Sequence, residues 1–188
     1  MNRIIVVQFI TVDGVVEDPD GSGGSPDGGW AFRFGPEAVA GDKFRLGPRL
    51  DTGALLFGRL TWQLFSKLYP GRSDPFSTQL NTAPKWVASR TLDDVSGWNN
   101  SRLIEGELVD EVQRLRGERD VIVIGSTSVV HTLMDRDLVD EYRLLIFPTV
   151  LGRGGRLFTG QTPAGDLRLL SVEQSGTAAL LRYEPAGR

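Results

Sequence analysis

The chain has 188 residues, 40% of them hydrophobic and 24% charged, with a formal net charge of -3; these ordinary values suit one folded domain over 1–188 and exclude disorder as the main state. There is no cysteine and one histidine, His131, so disulfides, zinc fingers, iron–sulfur ligation and Cys or Ser–His catalysis lack their parts, and no metal site is expected. The pI near 5.2, with no Lys/Arg block, argues against a nucleic-acid partner.

Ile4-Ile5-Val6-Val7 after Arg3 imitates the start of a signal peptide, but Gln8 breaks the run and no small-residue cleavage site follows. No apolar stretch approaches the roughly 18 residues needed to span a bilayer. The expected location is the cytoplasm.

In chain order, a strand is predicted over 3–11, bounded by Asp13-Gly14. Residues 17–29, EDPDGSGGSPDGG, form the one low-complexity stretch and read as a mobile surface loop. A short helix is predicted over 36–46, with Pro36 in its first turn. A strand at 54–57 leads into a helix from Arg59 to before Pro70, because Leu60, Leu64, Phe65 and Leu68 recur at helical spacing. Strands follow at 85–88 and, more weakly, at 101–104. The helix over 107–116 has early acids and late arginines, which suit its dipole, and Gly117 is expected to end it.

Val121-Ile122-Val123-Ile124 is a continuous apolar run, the mark of a strand covered on both faces. It feeds Gly125-Ser126-Thr127-Ser128 and a helix that buries Val130, Leu133 and Met134. Strands at 140–147, 166–174 and 177–184 complete the chain, the last two joined as a hairpin near Ser175-Gly176. Strands alternating with helices and closing on a hairpin give the α/β class, with a mixed sheet and helices on both faces.

Two strand-to-helix junctions concentrate backbone N–H groups and the positive end of a helix dipole, which makes each a candidate anion site. One is Gly58–Thr61, with the Arg59 charge and the Thr61 hydroxyl. The other is Gly125–Ser128, with its three hydroxyls. Each is also read, more plainly, as a capped helix after a tight turn. Neither carries a G-x-G-x-x-G or Walker pattern. A third junction, Ser89-Arg90-Thr91, sets a guanidinium between hydroxyls, a grouping suited to a phosphate monoester or to an ordinary exposed loop.

The strand ending Thr11-Val12-Asp13-Gly14, the segment LLFGRLTW (55–62), KWVASRTL (85–92) and VIVIGSTSVVHTLMDRDLVDEYRLLIFPTVLGRGGRLF (121–158) together resemble the dihydrofolate-reductase-like superfamily. Within it they resemble the reductase domain of bacterial riboflavin-biosynthesis deaminase-reductases and its stand-alone relatives. The resemblance spans nearly the whole chain, and its most specific part is Gly125, Leu138-Val139-Asp140-Glu141, Pro148, Leu151-Gly152, Gly154 and Leu157-Phe158. It implies a three-layer α/β/α fold, NADPH as hydride donor and a homodimer. It also implies that Gly58, Arg59 and Thr61 meet phosphate and that Gly125, Ser126 and Thr127 cradle pyrophosphate. Ser89 and Arg90 match the loop that contacts the adenosine 2′-phosphate, and the edge of the first strand, 8–16, would lie beside the nicotinamide. Two positions depart from the family pattern: Ser126 stands where a second glycine is common, and Leu60 where a polar or basic residue is common.

The substrate expected from this resemblance is a phosphoribosylamino-pyrimidine or another small heterocyclic or sugar-like molecule. A pteridine reductase and a non-catalytic NADP-binding protein are the alternatives. Asp13 and Asp42 are the candidate catalytic carboxyls; a turn role for Asp13 and a solvated surface role for Asp42 are the plainer readings. Trp30 and Phe32 either close over a flat ring or anchor the 17–29 loop, itself a candidate lid. Arg153 and Arg156 are candidates for a substrate phosphate, a subunit contact or plain solvation.

Overall fold

The computed structural model describes residues 1–41 and 45–187. Eight strands form a mixed sheet in the order β4-β3-β2-β5-β1-β6-β8-β7. They are β1 (Ile4–Thr11), β2 (Ala54–Gly58), β3 (Lys85–Ala88), β4 (Ser101–Leu103), β5 (Val121–Val123), β6 (Glu141–Phe147), β7 (Leu167–Ser175) and β8 (Ala178–Pro185). The α/β class and the C-terminal hairpin are those expected from the sequence. The chain divides into two compact units, one of Met1–Val6 with Leu46–Val139, the other of Val7–Arg45 with Asp140–Arg188.

In the first unit, β5 pairs in parallel with β1 and β2, β2 with β3, and β3 with β4. Every residue of β2 and β5 is buried, which is why both strands read as unbroken apolar runs and not as alternating patterns. The helices are α2 (Pro48–Thr52), α3 (Arg59–Leu68), α4 (Pro75–Thr82), α5 (Leu108–Glu118) and α6 (Thr127–Asp135). Helices α3 and α6 pack on β2, and α5 packs on β5.

Three local expectations are corrected here. Helix α4 is absent from the sequence reading, although Asp74-Pro75 is a start signal: the Asp74 carboxylate accepts from the Ser77 N–H at 3.0 Å and from its hydroxyl at 2.5 Å. Gly117 does not end α5; the helix runs through it to Glu118, and the Arg119 N–H closes it on Leu115. The helix predicted over 36–46 is shorter, α1 (Pro36–Ala40).

Lys85 opens β3 fully buried. Its ammonium donates to the carbonyls of Asn81, Ala83 and Asn99 at 3.1, 2.7 and 3.0 Å. It also lies 4.5 Å from the centre of the Trp98 ring, so the charge is held at the carboxyl end of α4, where the helix dipole favours it. Burial still pulls its pKa down to about 8.

In the second unit, β8 lies antiparallel between β6 and β7. Its core gathers Trp30, Ala38, Val39, Leu145, Phe147 and Leu180. Trp30 is completely buried, meets Phe147 edge-on at 5.5 Å, and donates its indole N–H to the Glu17 carbonyl at 2.8 Å. Of its two readings, the anchor is therefore the one the structure gives, whereas Phe32 is 54% exposed.

The 17–29 loop, read from the sequence as a mobile surface loop, is folded around one carboxylate. Asp18 accepts from the N–H groups of Gly23 and Ser25 at 2.7 and 2.9 Å. A Cβ on Gly28 would stand 2.3 Å from Asp18 Oδ2, so a glycine there lets the backbone close on that side chain.

Candidate functional site

The sheet register brings three strand ends of the first unit into one row. Gly58 pairs with Ala88, and the Gly58 N–H donates to the Gly125 carbonyl at 3.0 Å. Arg59, Ser89 and Ser126 therefore leave the carboxyl edge of three adjacent parallel strands, the edge of an α/β sheet where ligands bind.

Close packing fixes the gap between two of these turns. The Thr61 and Ser126 hydroxyls are 3.3 Å apart. A Cβ on Gly58 would stand 2.4 Å from Ser126 Oγ and 2.8 Å from Ser126 Cβ, so that position tolerates no side chain. The Ser126 hydroxyl thus occupies the space that the expected second glycine would leave open. The Gly125–Ser126 peptide bond is cis.

The helices that begin here start without the usual stabilisers. Neither Gly58 before α3 nor Ser126 before α6 offers a capping side-chain hydrogen bond, and neither helix has an acid in its first turn. Instead α3 begins with Arg59, which reaches Gln63 Oε1 at 3.4 Å, and with Leu60, 63% exposed. A cation at the positive end of a helix is unfavourable by itself and becomes favourable when an anion joins it.

Ser89 shapes the third turn. Its hydroxyl accepts from the N–H groups of Thr91 and Leu92 at 3.1 and 2.9 Å, and Arg90 projects exposed from that turn. Hydroxyls, two guanidiniums and helix N-termini make a donor set that fits a phosphorylated cofactor, with no carboxylate among the named groups to repel it.

Asp42 lies outside the described residues. Asp13, in the second unit, accepts from the Thr11 hydroxyl at 2.6 Å and from the N–H groups of Leu151 and Gly152 at 3.2 and 2.8 Å. Arg156 approaches it at 3.5 Å and donates a further bond to its carbonyl. The Thr11 hydroxyl first, and then the Gly152 N–H, hold its pKa down to about 2. At neutral pH it is a carboxylate that fastens the turn after β1 to the 151–156 segment.

Asp27 was not singled out in the sequence, yet its Oδ2 meets Arg153 Nε at 2.5 Å. Nothing in the sequence could have matched two surface residues so far apart along the chain. Among the described residues no cluster of His, Asp or Glu could hold a metal, and no helix is long and apolar enough to cross a membrane.

The sequence profile of the RibD C-terminal domain matches residues 2–181. A Bacillus subtilis protein of uncharacterised function, YyaP, is 31% identical over 177 residues, which are 90% of this chain and 87% of that protein. Among solved structures, a Shewanella protein provisionally assigned to riboflavin biosynthesis superposes with a TM-score of 0.69 at 20% identity, covering 97% of this chain and 98% of that one. The Thermotoga maritima diaminohydroxyphosphoribosylaminopyrimidine deaminase/5-amino-6-(5-phosphoribosylamino)uracil reductase superposes with a TM-score of 0.64 at 16% identity. That match covers 98% of this chain but only 57% of the bifunctional protein.

Proposed function

The chain belongs to the RibD C-terminal domain family, and from that membership we propose that it is an NADPH-dependent reductase of the riboflavin-biosynthesis type, acting on a small heterocyclic substrate. The observation that carries this reading is the pair of uncapped, acid-free helix starts at Gly58–Thr61 and Gly125–Thr127, set side by side by the β2–β5 register.

When bound, NADPH supplies the hydride. Arg59 and the N–H groups at the start of α3 hold one phosphate in this reading, and the start of α6 with the Thr127 hydroxyl holds the other. Arg90, on the turn that Ser89 stiffens, takes the 2′-phosphate and so selects NADPH over NADH. Asp13 keeps the 151–156 segment in place and does not deliver a proton, since its carboxyl is ionised far below neutral pH.

The same reading takes the chain as a cytoplasmic homodimer. The edge strand β7, with Leu169 and Val172 50% and 59% exposed, offers the apolar contact, and sedimentation velocity tests it. Ser126 favours one second reading, a protein that binds NADP without turnover, because its side chain fills the space beside Gly58.

Fluorescence titration with NADPH and NADH tests the first reading. The expected result is NADPH binding in preference to NADH, with the preference reduced about tenfold in Arg90→Ala. Failure to bind either cofactor overturns both readings. Binding of NADPH without reduction of pyrimidine or pteridine substrates selects the second.

A further inference from the structure

In the second unit the register of β6, β8 and β7 sorts their side chains by charge. Directly opposed residues of antiparallel strands share a face, so Tyr142, Leu144 and Ile146 of β6 lie beside Tyr183, Leu181 and Ala179 of β8. Leu169, Val172 and Gln174 of β7 continue that face. The charged residues of the three strands, Glu141, Arg143, Arg168, Glu173, Arg182 and Glu184, all lie on the other one. There Arg143 opposes Arg182, Arg168 opposes Glu184 and Glu173 opposes Leu180, and Glu141 accepts from Arg143 and Arg182.

This reverses the ordinary one-sided sheet, whose charges face water and whose apolar side faces the core. Here the charged face holds the core: Leu145, Phe147 and Leu180 gather there with Trp30, and the Ser175 hydroxyl donates to the Glu37 carbonyl of α1 at 2.7 Å. Across the uncharged face burial falls away. Tyr142 and Leu144 are buried, Leu181 and Tyr183 are half-buried, and Leu169 and Val172 are 50% and 59% exposed. Phe158, tilted against Tyr142 at 5.9 Å, extends the same face.

Three strands about 4.8 Å apart, at about 3.4 Å per residue, give this face roughly 400 Å² in plan, within the range of the largest apolar patch that monomers expose. Closed on a like face it would remove roughly 800 Å² in plan, and more once side-chain relief is counted, which reaches the roughly 1,000 Å² at which specific interfaces begin. Charge is also what the core of an interface lacks. We infer that this uncharged face is where two copies of the chain meet, sheet stacked on sheet across a two-fold axis. A foreign partner finds no charge here to select it. A second copy brings the same neutral face and is repelled nowhere. Stacked sheets lie about 10 Å apart, so the central strand β8 is covered as fully as the edge strand β7. The stacking rests on the homodimer reading above and not on the reductase chemistry.

Sedimentation velocity of the full chain over a range of concentrations tests it, and a reversible dimer is expected. Val172→Asp should weaken that dimer at least about a hundredfold, because the two-fold axis buries the added carboxylate twice without a partner. Ala179→Arg, in the central strand, should do the same, whereas a pairing of β7 edges alone would spare it. Glu173→Gln, beside Val172 but on the charged face, should leave the dimer unchanged. Melting curves check that each variant is folded.

A monomer at every concentration overturns both the homodimer and its surface. A dimer indifferent to Val172→Asp and Ala179→Arg in folded protein overturns the surface and leaves the homodimer. Loss of the dimer in Val172→Asp alone, or in Glu173→Gln, overturns the sheet stacking. NADPH titration of the same samples keeps the reductase reading separate, since cofactor binding by a monomeric chain leaves that reading standing.

Discussion

Helices of the first unit begin in two different ways. Helix α4 is capped by Asp74, whose carboxylate takes both the N–H and the hydroxyl of Ser77, and α5 carries Asp110 and Glu111 in its first turn. Helices α3 and α6 have neither device, and α3 puts a cation at its positive end. Both pairs face the same demand, since four N–H groups at each start lack intrahelical partners. Helices α4 and α5 meet it in part with their own carboxyl groups, whereas α3 and α6, adjacent at one sheet edge, leave it for something that is not in the chain. The contrast supports the proposed cofactor edge without any motif being invoked.

Gly58→Ala should break the open pair most severely. The added methyl would meet Ser126 at 2.4–2.8 Å, so the turns must separate at a cost of about 1–3 kcal/mol. Thermal melting should show that loss, with NADPH affinity falling at least about tenfold, and Ser126→Gly in the same chain should recover part of both. Asp74→Ala should do the opposite kind of damage: about 1 kcal/mol of stability lost with its cap, and NADPH affinity unchanged. If Asp74→Ala weakened NADPH as much as Gly58→Ala did, the distinction between the two kinds of start would fail.

Arg59→Ala should leave stability within about 0.5 kcal/mol, as for an exposed side chain away from structural contacts. It should weaken NADPH binding and flatten its dependence on salt, measured by titration at two ionic strengths. A stability gain without loss of NADPH would instead show Arg59 as only an ill-placed surface charge.

The smallest effect concerns Asp13 in the second unit, a carboxyl committed to its own turn. Its folded pKa, about 2, lies below the ordinary value, so its contribution to stability is present above about pH 4. That contribution disappears as the pH falls through about 2. Asp13→Asn should therefore melt lower than the unaltered chain at neutral pH, and the two curves should converge near pH 2.

Local patterns fixed much of this protein. The apolar run Val121-Ile122-Val123 made a strand covered on both faces and Ser175-Gly176 made the final hairpin, because apolar runs and turn chemistry act over a few residues; α3 formed where expected, although Leu60 and Leu68 of its expected stripe are exposed and Trp62 is its buried residue. The Gly58 and Gly125 junctions were legible as tight strand-to-helix turns for the same reason. The Asp74-Pro75 start of helix α4 is local in the same sense. What required the tertiary structure was every pairing between distant segments. Parallel register placed Gly58 beside Ala88 and Gly125. Asp18 turned a glycine-rich stretch into a folded loop, burial made Trp30 an anchor, and Arg153 met Asp27. These follow from which backbones approach closely enough to pack and hydrogen-bond, and no window of sequence contains that information.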